Sequence, residues 1–224
     1  MVYEATVMGN GPGTMGLGPA PFVAIWALMM AAMMLPSVAP TASFYARALG
    51  PHAGGRLAGF SAGYLAVWAL TGIPAYAVMA LSGRVVAHDP VAARVGATAL
   101  LAAAGTWQLT GAKDVCLVRC RSPLGLLVRY GSYRGRWRDV RAAVHHAGSC
   151  LGCCWALMAL FVVFGVMNVA AMGAIAAVVL LEKLAPRGRG IARLVGLACL
   201  GLAVVVMAVP GLAPGLHASP MHRG

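Results

Sequence analysis

Residues 145–154 read His145-His146-Ala-Gly-Ser-Cys150-Leu-Gly-Cys153-Cys154, the densest run of soft-metal ligands in the chain. On an α-helix His146, Cys150 and either Cys153 or Cys154 project from one face. Cys116 and Cys120 stand four residues apart just after an apolar run, so they also share a helix face. Two neighbouring helix ends would then offer four thiolates with an imidazole, a donor set for Zn(II) or Cu(I). Packing competes with this reading, because free cysteine is among the most buried residue types; the isolated Cys199 is read as packing.

A second block of soft donors lies in Trp26-Ala-Leu-Met29-Met30-Ala-Ala-Met33-Met34-Leu-Pro36-Ser37-Val-Ala-Pro40. Met29 pairs with Met33 and Met30 with Met34 at i,i+4 spacing, on adjacent helix faces. Thioethers select Cu(I), and each proline withholds a backbone donor and leaves carbonyls free within a helix. The competing reading is again packing, since methionine fills apolar bundles well. Asn168 either lines or caps a chain reversal, Glu182 is either a ligand or the partner of Lys183, and His217, Met221 and His222 lie in a tail-like end. No phosphate-binding glycine loop, serine or carboxylate catalytic set, or zinc-protease pattern occurs, so no catalytic residue is assigned.

These donors need elements to hold them. The 224 residues are 61% hydrophobic and only 10% charged, more apolar surface than a water-soluble core hides. Apolar runs of spanning length are read at Phe22–Ala46, Leu57–Ser82, Val91–Thr110 and Ile191–Leu212. The stretch from Ser149 to Leu184 is too long for one crossing and is read as two short spans folded back at Gly165-Val166-Met167-Asn168. The expected fold is an all-α, polytopic helical membrane bundle of about six transmembrane helices. Its parts are a polar, glycine-rich segment at residues 1–21, one membrane domain at 22–212 with a basic cytoplasmic loop at 111–147, and a short tail at 213–224.

The formal net charge is +12, and with six spans fourteen of the seventeen lysines and arginines fall on one side, leaving Arg84, Arg94 and Arg223 on the other. Positive-inside asymmetry of that size puts the basic loops in the cytoplasm. The basic charge then faces anionic lipid headgroups rather than nucleic acid. No cleavable signal peptide is evident at the polar N-terminus. Most cysteines lie beside cytoplasm-type loops, where thiols stay reduced, which favours metal or redox chemistry over structural disulfides.

Together the motifs resemble a bacterial family of uncharacterised, predicted metal-binding integral membrane proteins. The matching residues are Trp26 to Ser37, Gly63-Tyr64 with Trp68, Gln108 with Lys113, Cys116 to Pro123, Cys150 to Met158, Gly165 to Asn168 and Glu182-Lys183. The resemblance covers about Phe22 to Arg193 and implies a helical membrane fold with a metal site. Trp107 and Gly111 stand where the family pattern has a tyrosine and a proline, and members carry a further hydrophobic segment before the methionine block.

The resulting expectation is a membrane protein that binds copper, or next zinc, for transport, delivery or homeostasis. Its ligands are drawn from Cys116, Cys120, His146, Cys150, Cys153, Cys154 and the methionines 29, 30, 33 and 34. Exchange between thioethers and thiolates carries the ion, with a metal chaperone or another membrane-complex subunit as partner. Two rival readings stay open: a membrane thiol-disulfide oxidoreductase using the same cysteines, and a non-catalytic accessory subunit in which every motif serves packing.

Overall fold

The computed structural model describes residues 13–14, 16–49, 53–122, 125, 128 and 132–209. Most of the expected N-terminal segment, the tail with His217, Met221 and His222, and Pro123, Arg129 and Tyr130 of the basic stretch lie outside the described residues. The elements are all helical: α1 (Pro19–Leu49), α2 (Ala53–Leu70), α3 (Gly72–His88), α4 (Pro90–Gln108), α5 (Gly111–Arg121), α6 (Arg138–Ala159), α7 (Phe161–Phe164), α8 (Val169–Leu184) and α9 (Gly188–Ala208).

Local chemistry sets the joints between them. Asp89 caps α4 by accepting from the amides of Val91 and Ala92, with Pro90 in the first turn, where its missing donor costs nothing. Thr110 caps α5 by accepting from Lys113 N. The expected reversal after α7 is present: Gly165 adopts φ 88°, a region that favours glycine, and Asn168 accepts from Ala171 N to start α8. Asn168 is therefore a cap, and its amide also donates to the Phe164 carbonyl.

Four helical stretches are long and apolar enough to cross a bilayer: Pro19–Arg47, Gly54–His88, Arg138–Phe164 and Gly188–Ala208. The other two expected spans are helical as well, but α8 has only 16 residues and α4 is rich in alanine and glycine rather than long aliphatic side chains. The stretch read as a basic loop is also more ordered than expected, since α5 and the first turns of α6 fall inside it. An apolar stripe of Leu117 and Cys120 on α5, and of Ala142, Ala143 and Ala147 on α6, buries there against neighbouring helices.

Among the four stretches, the one containing α6 is the most buried. Helix α2 packs along it, closely enough that a Cβ on Gly63 would lie 3.0 Å from the Ala143 side chain. Helix α5 packs on it from another side, and α4 packs most extensively on α9, where a Cβ on Gly105 would lie 2.7 Å from the Gly196 carbonyl oxygen. The outward faces stay apolar, with Leu28, Leu70, Ile73, Leu81, Leu194 and Val204 all exposed.

Candidate metal centre

The buried face of α6 carries Cys150 and Cys153 one turn apart, and α5 brings Cys120 against them. The three Sγ atoms all lie within 4.8 Å of one another, the one group among the described residues where three such ligands converge. Cys153 Sγ is 3.7 Å from Cys120 Sγ and 3.3 Å from Cys154 Sγ, so Cys154 flanks the triad. Sulfurs bound at about 2.3 Å around one ion in a plane stand roughly 4 Å apart, a spacing these helices already approach.

Cys116 does not join them. Helix α5 buries the stripe Lys113, Leu117 and Cys120, and Cys116 lies to the side of it, half-buried. Its sulfur occupies the space beside Gly152, where a Cβ would come within 2.8 Å of it.

Cys150 is the thiol that a cation touches. Lys183 Nζ, from α8, lies 2.9 Å from its sulfur and donates to it, and the Tyr64 hydroxyl, from α2, lies 3.0 Å away. The same ammonium donates to Ser37 Oγ at 3.0 Å. Ser37 in turn donates to the Met34 carbonyl at 2.9 Å, with Met34 Sδ 4.0 Å away, so the methionine block of α1 ends one serine from the lysine that touches Cys150. Met29, Met30, Met33 and Met34 are all buried in the core.

A second buried cation braces the triad from behind. Lys113, 0% exposed, donates to Glu182 Oε2 at 2.7 Å and to the Cys153 carbonyl at 2.6 Å. Gln108 Nε2 donates to Glu182 Oε1 at 2.7 Å, while Gln108 Oε1 is buried without a partner among the described residues. Glu182 thus pairs with Lys113, not with its sequence neighbour Lys183. Adjacent residues on a helix project about 100° apart, which sends the two side chains to different partners. Arg121 secures the end of α8 by donating to the carbonyls of Glu182 and Ala185, and Trp107 Nε1 donates to the Gly152 carbonyl at 3.1 Å. Trp107 thereby ties α4 to α6.

His146 is buried one turn before Cys150 on α6, but it packs between the rings of Phe60 and Tyr64 and lies outside the triad. Beyond it, Asp139 is held by Arg56 Nε and Nη2 and by the Tyr45 hydroxyl, joining α6 to α2 and α1. Spacing alone does not mark Tyr64, Ser37, Gln108, Lys113 or Lys183 as site residues. The sequence signal that pointed toward them was their presence in the motifs shared with the resembling family.

A family model described as a copper chaperone, PpoB2, matches residues 23–206. No curated protein matches the chain, and no solved structure does.

Proposed function

The chain belongs to the PpoB2 copper chaperone family, and from that premise we propose that it is a membrane-embedded Cu(I) carrier whose tight site is Cys120, Cys150 and Cys153. The observation that carries the reading is the convergence of three buried thiol sulfurs from two helices. Three converging soft sulfurs suit Cu(I), whereas structural Zn(II) sites close with four, and Cys154, though near Cys153, lies outside the convergent group. Three thiolates around Cu(I) leave an excess of two negative charges, and the ammonium of Lys183 at Cys150 reduces it. Lys113 holds the Cys153 backbone in place without taking a ligand position, because its contact is to the carbonyl. Cargo moves by ligand exchange, sulfur for sulfur, with no change of oxidation state.

In this reading the exposed aliphatic faces meet lipid, and the helices cross a bacterial inner membrane six times with the α1–α2, α5–α6 and α8–α9 connections in the cytoplasm. The short α8 crosses with the help of the reversal at Gly165, and the basic connections supply the orientation. A cysteine placed at Ser132 should resist a membrane-impermeant thiol reagent in intact cells and react after lysis; labelling in intact cells would reverse the orientation. X-ray absorption of the Cu(I)-loaded protein tests the site itself. A sulfur-only shell of three scatterers is expected, and a shell dominated by nitrogen or oxygen would overturn it.

A further inference from the structure

A cavity of about 680 Å³ opens between the ends of α1, α5 and the α8–α9 connection. Its apolar wall includes Phe44, Leu117 and Pro186, and its polar wall is formed by Arg121, Arg187 and Arg189. No carboxylate lines it among the described residues. Asp114, the one acid of α5, is turned toward Arg193 at 3.9 Å. Arg187 and Arg189 are exposed and have no carboxylate partner among the described residues.

The cavity is walled by α5, which carries Cys120, and by the connection that follows α8, the helix of Lys183. Leu117 is fully buried one turn before Cys120, and Arg121 follows Cys120 directly. The Arg121 guanidinium grips the Glu182 and Ala185 carbonyls on either side of Lys183, the donor to Cys150. A volume of this size is ample for a small-molecule ligand. Three guanidinium groups repel a bare cation and attract an anion, so the cavity is electrostatically wrong for free Cu(I) and right for a negatively charged complex of it.

We propose that this cavity is the exchange vestibule of the carrier and that it receives copper as an anionic Cu(I)–thiolate complex, the carrier thiol bearing carboxylates. The proposal rests on the thiolate-triad reading and adds the class of donor. Arg187 and Arg189 bind the carboxylates while Phe44 and the exposed Val118 cover the apolar part of the carrier. In the exchange, two Cu–S bonds to carrier thiolates break and Cu–S bonds to Cys120, Cys150 and Cys153 form. Two cysteine protons leave on the released carrier thiols, the third passes to water, and copper stays Cu(I).

The test uses the full-length protein in detergent and preformed Cu(I) complexes of three small thiols: mercaptosuccinate (anionic), 2-mercaptoethanol (neutral) and cysteamine (cationic). The rate of transfer and the copper content at the end are both read. Transfer should be fastest from the mercaptosuccinate complex, by about tenfold over the cysteamine complex at low salt, and high salt should shrink the difference. The double variant Arg187→Gln/Arg189→Gln should lose most of that preference while reaching the same final copper content. Equal rates from the three complexes, or a preference unchanged in the double variant, would overturn the vestibule while leaving the triad standing. A protein that ends without copper from any donor would overturn both.

Discussion

Two sulfur-rich regions share this bundle and are built on opposite principles. At the α5–α6–α8 junction three thiols approach one another, an ammonium touches one of them, and a buried ion pair grips the backbone of another. In α1 four methionines lie in an apolar core, and Met29 is set among Phe22, Trp26, Val166 and Met167. Residue softness is common to both regions. What differs is convergence from separate helices and the presence of charge, and on the proposed reading those distinguish a place to hold an ion from a place to fill space.

The largest effect separating the two regions should come from the hidden charge. Lys113→Met would leave the Glu182 carboxylate buried with Gln108 as its remaining partner, a loss of about 3–5 kcal/mol on the pattern of broken buried pairs. Thermal unfolding in detergent would show it, and adding Glu182→Gln should restore part of the loss by removing the stranded charge. A midpoint unchanged by Lys113→Met would mean that the pair braces nothing.

Next in size is the contact that marks the thiol region alone. Lys183→Met removes a charge-assisted hydrogen bond to Cys150, worth about 1.5–3 kcal/mol, so Cu(I) affinity in a competition titration should fall by tenfold or more. Unaltered affinity would show that Lys183 balances no charge at the site.

Gly152→Ala probes the packing that excludes Cys116. Its Cβ would press on the Cys116 sulfur, at a cost of about 1–3 kcal/mol if the helices cannot part. Copper content should persist in the folded fraction, because Cys116 is not a ligand in this account. Loss of copper at full stability would put Cys116 back in the site.

The smallest effects belong to the methionines. Met29→Leu and Met33→Leu conserve volume and should each cost less than about 1.5 kcal/mol, with copper content unchanged. A drop in copper in either well-folded variant would erase the contrast between the two regions and make α1 a ligand-bearing helix.

The sequence carried some of this plainly and some not at all. The reversal at Gly165 to Asn168 was legible because glycine and asparagine are the residues such a joint demands. Cys150 and Cys153 were legible as a pair because their spacing is that of a single helix face. The choice of Cys120 over Cys116 was not, since it depends on how α5 is rotated against α6, which the absence of a side chain at Gly152 helps set. Nor were the two lysines, whose positive charges read as loop determinants of topology. Lys113 finds Glu182 69 positions away and Lys183 finds Cys150 33 positions away, and no local pattern reports such pairings. Glu182 and Lys183, adjacent and opposite in charge, instead suggested each other.

The most direct test is the copper content of purified Cys120→Ser, Cys150→Ser and Cys153→Ser proteins beside Cys199→Ser, each loaded with Cu(I) under reducing conditions. A serine hydroxyl is a hard, weakly ionised donor that cannot replace a thiolate on a soft ion. The three triad variants should stay folded and lose copper, while Cys199→Ser, whose thiol packs on α9 outside the cluster, should match the unaltered protein. Triad variants that retain as much copper as Cys199→Ser would contradict the account, and the convergent thiols would then be packing alone.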